Sequence, residues 1–134
     1  MIPERLSPNL FAAAIAARLD AAVPDGLSVR AQGSEVGIYD PTWWGASSAA
    51  EILKEEDGRS MIDLIEQAAR SIMISTQDVV MESTREQWPM GQVRAADPDA
   101  RVIGDQLHLW FGDEEKPILH LGSVDLTELA NGAA

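Results

Sequence analysis

The chain contains two histidines, His108 and His120, and imidazole is well suited to acid–base chemistry and metal binding near neutral pH. They lie in two runs of apolar and polar residues, Leu107–Phe111 and Pro117–Leu121, which a charged turn separates. The spacing predicts a β-hairpin with one histidine on each strand. The pair is compatible with a metal site or an acid–base pair, and also with two polar side chains on the solvated face of a sheet.

The apolar pattern predicts the register of this hairpin. Pairing Leu109 with Leu119 and Leu107 with Leu121 places these leucines and Phe111 on one buried face, and a shift of one residue would bury a histidine instead. The two histidines then lie directly opposite each other, with β-carbons about 5 Å apart. We expect the outer face of the hairpin to present four candidate binding residues: His108, Trp110, Ile118 and His120.

The residues near this pair do not complete a known catalytic set. A zinc site needs a third protein ligand, and Asp105 points to the other face in the predicted register. The carboxylate clusters Glu55–Asp57 and Asp113–Glu115 lie at breaks between elements, where solvent surrounds them. Phosphate-loop, dinucleotide and nucleophile-elbow motifs are absent from the sequence. We therefore predict no catalytic residue, no metal site and no cofactor.

Two adjacent tryptophans, Trp43 and Trp44, form the other candidate for recognition. They lie in the segment Thr42–Gly45, which follows the turn signal Asp40–Pro41 and which we interpret as a loop. Tryptophan is enriched in binding hot spots, and loops often carry function. The alternative is a loop that folds over the end of the core with one indole buried as a lid.

The elements that position these residues follow from periodicity and capping signals. Ser7 and Pro8 mark the start of a first helix that Pro24–Gly26 ends, and Ser60 marks the start of a long helix that reaches Ser83. Ser48 predicts a short helix over 49–56. The first two predicted strands are Leu27–Ala31 and Val36–Tyr39, with a hairpin-type turn at Gly33–Ser34 between them. A weak strand at Gln92–Ala96 and a strand at Arg101–Ile103 follow, with a turn at Asp97–Asp99 between them. A turn or bulge at Gly104–Asp105 precedes the C-terminal hairpin.

This order of elements predicts an α+β fold, because helices and antiparallel strands are segregated along the chain. We expect one antiparallel sheet, made of two N-terminal strands plus a C-terminal hairpin or meander. The sheet should pack against an N-terminal helix and one long central helix. At 134 residues the chain is predicted to be a single globular domain, residues 1–134, with a short frayed tail at about 131–134.

The charge balance limits the classes of partner. The formal net charge is −12 and no lysine or arginine cluster offsets it, so we expect no binding to nucleic acid or to an anionic membrane. The chain has no cysteine, and its N-terminus has no signal-peptide pattern. We expect a cytoplasmic protein.

The sequence-based interpretation is a non-enzymatic acidic interaction module, such as an adaptor, a chaperone-like protein or an immunity-type protein. It would bind a protein partner, or form a homodimer, through the sheet face at Trp110 and the tryptophan loop, because exposed apolar patches usually mark interfaces. The alternative is a small-molecule-binding protein or a cryptic enzyme, with a pocket beside Trp43 and Trp44.

Overall fold

The computed structural model describes residues 5–40, 42–47, 60–89 and 96–130, and for residues 40 and 42–47 it describes the backbone alone. Within these ranges the α+β prediction is confirmed: two α-helices accompany six antiparallel strands. The strands form two separate three-stranded sheets with the orders β1-β2-β3 and β4-β5-β6, instead of one continuous sheet. The short helix predicted over 49–56, most of the weak strand at 92–96, and the tail at 131–134 lie outside the described residues.

Helix α1 spans Pro8–Asp20, and its start follows the sequence signals. The Ser7 hydroxyl accepts a hydrogen bond from the Leu10 amide at 3.2 Å, which satisfies one of the free N–H groups at the helix start. The helix ends before the apolar stripe does, at Asp20. Its buried side chains are Phe11, Ala12, Ile15, Ala16 and Leu19.

The first sheet contains β1 (Ser28–Gln32), β2 (Glu35–Asp40) and β3 (Thr42–Ser47). Strands β1 and β2 form the predicted hairpin, with Gln32 opposite Glu35 and Gly33 in the left-handed region at φ +61°. The prediction of a loop at Thr42–Gly45 is wrong, because this segment pairs with β2 as a strand. Threonine and tryptophan both favour extended backbone, so local preference agrees with β3 once the chain has turned after Asp40.

Helix α2 spans Met61–Thr84, and the Ser60 hydroxyl accepts a hydrogen bond from the Asp63 amide at 3.1 Å. Its buried residues are Leu64, Ile65, Ala68, Ala69, Ile72, Met73, Thr76, Gln77 and Val80. The burial does not follow polarity at every position, because the apolar Ile62 is exposed and the polar Gln77 is buried. Burial of Gln77 is tolerated because its Nε2 donates to the carbonyl oxygens of Trp88 at 3.1 Å and Ala96 at 2.6 Å.

The second sheet contains β4 (Pro98–Ile103), β5 (Gln106–Gly112) and β6 (Pro117–Asp125). The predicted turn at Asp97–Asp99 is wrong, because β4 already begins at Pro98. A proline is compatible with the first residue of an edge strand, where the missing N–H breaks no ladder bond. The turn at Gly104–Asp105 is confirmed, with Gly104 at φ +63°.

The predicted register of the C-terminal hairpin is wrong. Leu109 lies opposite Gly122 instead of Leu119, and Leu107 lies opposite Val124. Irregularities in the β5–β6 pairing leave an extra residue on β6 on each side of the Phe111–Leu119 pair, and Gly122 adopts φ +88°. A bulge adds a residue on one strand without breaking the rest of the ladder. It thereby keeps the apolar side chains of β5 buried in a register that simple alternation does not predict.

The two sheets share one hydrophobic core because both helices contact both sheets. Helix α1 contacts β1, β2 and β6, and helix α2 contacts β2, β3 and β4. The buried cluster accordingly combines residues from both helices and both sheets, including Ile15, Ile38, Ile72 and Leu109. The core lies on the inner face of the second sheet, where Leu107, Leu109 and Phe111 are fully buried.

Candidate functional site

The outer face of the second sheet, hereafter the outer face, carries most of the predicted site residues. Three rows of residues, one residue from each strand in every row, form this face. The residues are Asp99, Arg101 and Ile103 of β4, Gln106, His108 and Trp110 of β5, and His120, Ser123 and Asp125 of β6. The residues between them on β5, which are Leu107, Leu109 and Phe111, are fully buried on the inner face. Strand alternation therefore separates an apolar inner face from a largely polar outer face.

The two histidines lie in different rows of the outer face. His108 is opposite Arg101 and Ser123, whereas His120 is opposite Trp110. The prediction that the histidines face each other is therefore wrong, because the extra residues on β6 shift its pairing with β5. Within the part of the chain that the structure describes, no group of three or more histidine, cysteine or acidic side chains is placed to hold a metal ion.

Trp110 is not the exposed aromatic residue that the sequence pattern predicts. Although its register position is on the outer face, it is only 4% exposed. Its indole Nε1 donates to the Gly112 carbonyl oxygen at 3.1 Å, so the polar atom of the ring is satisfied within β5. Trp110 therefore offers little surface to a partner.

His120 and Ile118 are accessible on β6. His120 is exposed, and its Nδ1 accepts a hydrogen bond from the Gly122 amide at 3.0 Å, which ties the imidazole to the bulge. Ile118 is 37% exposed at the beginning of the same strand. His108 is half-buried in the centre of the sheet. The structure thus keeps three of the four predicted hairpin residues at a surface.

Two charged groups on the outer face have shifted pKa values. The Arg101 guanidinium contacts both carboxylate oxygens of Glu114, at 2.8 and 3.0 Å, and this hydrogen-bonded pair raises the pKa of Arg101. Hydrogen bonds from the hydroxyl and amide of Thr127 lower the pKa of the Asp125 carboxyl. Both groups keep their charge at neutral pH and give the outer face fixed charges of both signs.

Trp43 and Trp44 lie on β3, in the other sheet, with Trp43 opposite Tyr39. Their side chains are outside the described residues, and their role in binding stays a prediction. Near them on the described strands, the Arg30 guanidinium lies 5.3 Å from the centre of the Tyr39 ring, and Gln32 donates to the Tyr39 hydroxyl. These contacts fix Tyr39 in place beside β3.

Sequence reasoning missed a group of charged helix residues that bind strand backbones. Asp20 accepts from the Val29 amide at 2.9 Å, Arg18 donates to the Ser123 carbonyl at 2.7 Å, and Glu66 accepts from the Val102 amide at 2.8 Å. The pattern places these residues off the apolar stripes, which is typical of solvated positions. The only local signal is the spacing of Glu66 and Arg70, four residues apart on one helix face.

Comparisons with known proteins identify no relative. No protein-family model matches the sequence, and neither the search of curated proteins nor the search of solved structures found a significant match. Among the described helices, none combines the length and the hydrophobicity of a membrane span.

Proposed function

We propose that this chain is a non-enzymatic, cytoplasmic protein-interaction module that binds another protein chain through β6 and the adjoining outer face. The contact residues in this proposal are Ile118, His120 and His108. Trp110 is left out of this set, because it is only 4% exposed.

The observation that supports the proposal is that side chains bind the backbone along one edge of the second sheet and along only part of the other edge. On β4, side chains of α2 bind the backbone at Ala100 and Val102. On β6, Arg18 binds the backbone at Ser123, but the described residues supply no side-chain partner for the backbone between Pro117 and His120. An unpaired strand edge is a template for an added chain.

The chemistry of this edge fits a protein partner. Pro117–Val124 contains no acidic residue, although the whole chain has 22 aspartates and glutamates. The exposed Ile118 offers an apolar contact on the same strand as the exposed imidazole of His120, and the Arg101–Glu114 ion pair adds charged groups elsewhere on the sheet. An apolar centre with a polar rim is the usual arrangement of a protein interface.

The test is a comparison of two surface variants in partner capture. The variant Ile118→Glu with His120→Glu should lose a partner that the tagged wild-type chain captures from cells of its source. The matched control is Ile62→Glu with Ile74→Glu, which introduces the same two charges at positions of α2 that are 43% and 46% exposed. With the purified partner, we expect the β6 variant to bind at least about tenfold more weakly and the control to bind normally. Equal binding by the wild type and both variants would reject the site.

A further inference from the structure

The edge of β4 that faces away from β5 is covered by side chains. In an antiparallel pair, the backbone groups of every second residue point away from the neighbouring strand. On β4 these residues are Pro98, Ala100 and Val102, because Asp99, Arg101 and Ile103 alternate with them toward β5. An edge of this kind is normally open to pairing with another strand.

Each N–H group on this edge is either absent or bound. Pro98 has no N–H group, the Ala100 amide donates to its neighbour Asp99 at 2.8 Å, and the Val102 amide donates to Oε2 of Glu66 at 2.8 Å. The Ala100 carbonyl oxygen accepts from Nη1 of Arg70 at 3.3 Å. Glu66 and Arg70 therefore make the two kinds of backbone contact, one accepting and one donating, that a fourth strand would make.

The geometry of α2 explains why two side chains suffice. Residues four apart lie on the same face of a helix, one turn along its axis. Alternate residues of a strand are about 6.6 Å apart, which is close to the 5.4 Å pitch of a helix. Arg70 is also held in position by Asp99, whose carboxylate lies 3.5 Å from Nη1. The helix can therefore follow the strand over one turn with a matching pattern of polar groups.

We propose that Glu66 and Arg70 close the β4 edge to a second copy of this chain. A second copy presents the same strand, and antiparallel pairing would place Ala100 of each copy opposite Val102 of the other. The exposed charge at the centre of such a pair, Arg101, is already neutralised by Glu114 at 2.8 Å. Glu66 occupies the Val102 amide and Arg70 occupies the Ala100 carbonyl oxygen, so two of the backbone groups that this pairing needs are already bound to α2. This inference concerns the opposite edge to β6 and stands independently of the proposed function.

The experiment removes the two side chains and measures the mass of the protein in solution. The double variant Glu66→Ala with Arg70→Ala keeps the net charge of the wild type. We expect at least twice the wild-type mass by light scattering at equal concentration. The control is Arg101→Ala with Glu114→Ala, which also removes one positive and one negative charge but leaves Glu66 and Arg70 in place. It should keep the wild-type mass.

A third substitution shows whether association uses the β4 edge. Val102→Pro removes the outward N–H group without breaking a bond to β5, so adding it to the double variant should restore the wild-type mass. Glu66→Gln keeps an oxygen acceptor for Val102 and should keep the wild-type mass as well. If the double variant does not fold, the single variant Glu66→Ala frees the Val102 amide alone and should show a mass that rises with concentration. Wild-type mass in every folded variant, or association that Val102→Pro does not reverse, would overturn the proposal.

Discussion

At the scale of single residues, buried polar side chains make contacts in the core that the sequence pattern does not predict. Gln77 and Thr76 are the buried polar residues among the described positions. Gln77 connects α2 to the chain that follows it, because one amide nitrogen serves two carbonyl oxygens, those of Trp88 and Ala96. Trp88 in turn packs edge-on against Phe111, with ring centres 5.1 Å apart. The glutamine therefore helps to hold an aromatic contact in the core.

Replacing Gln77 with methionine tests this role. Methionine has a similar size and shape but no N–H donor, so the two carbonyl oxygens would lose their partner inside the protein. We expect a loss of about 1–3 kcal/mol in the free energy of unfolding, measured by urea denaturation. The control is Ile74→Met on the same helix, where the side chain is 46% exposed, which should change stability by less than about 0.5 kcal/mol. Equal effects of both substitutions would contradict the assigned role.

At the scale of elements, α1 joins the two sheets through neighbouring side chains near its C-terminus. Asp20 binds the Val29 amide in the first sheet, and Arg18 binds the Ser123 carbonyl in the second. Leu6, just before the helix, adds an isolated β-bridge to Ala130. The helix is therefore a structural link between strands that are distant in sequence.

Asp20→Ala tests the link to the first sheet. Val29 is buried, so its amide would lose the acceptor that this part-buried hydrogen bond provides. We expect a destabilisation of about 1–3 kcal/mol in thermal or urea unfolding. Asp25→Ala removes the same charge from an exposed position in the following turn and should leave stability nearly unchanged. A destabilisation as large as that of Asp20→Ala in this control would show that net charge, not the hydrogen bond, matters.

At the scale of the whole molecule, charge governs which partners can approach. A net charge of −12 repels a phosphate backbone at every orientation that lacks a local basic cluster. Three of the arginines at the second sheet, Arg18, Arg70 and Arg101, bind acceptors within the chain. These three guanidinium groups are therefore already engaged in contacts within the protein.

We therefore expect negligible affinity for DNA or RNA at physiological salt. Fluorescence anisotropy with a labelled random duplex and a labelled single strand measures this directly, and titration of salt distinguishes electrostatic from specific binding. Sub-micromolar binding to either probe would contradict the prediction.

The sequence by itself determined the features that depend on neighbouring residues. Ser7 and Ser60 cap the helices where the sequence predicts, and glycines at positions 33 and 104 form the hairpin turns. These signals work because a cap or a tight turn involves only a few consecutive residues. The α+β class followed from the order of such elements, and the exposure of Ile118 and His120 also agrees with their predicted positions.

Only the tertiary structure decided the register of β6, the burial of Trp110 and the closure of the β4 edge. The sequence placed Leu109 opposite Leu119 because strict alternation is the simplest pattern, but bulges in β6 move the pairing without exposing the core. The contact between Glu66 and Val102 spans 36 residues, and no local pattern encodes which strand will lie beside a helix. Such contacts form only after the core has brought distant elements together, and here they occupy backbone groups at the β4 edge of the sheet.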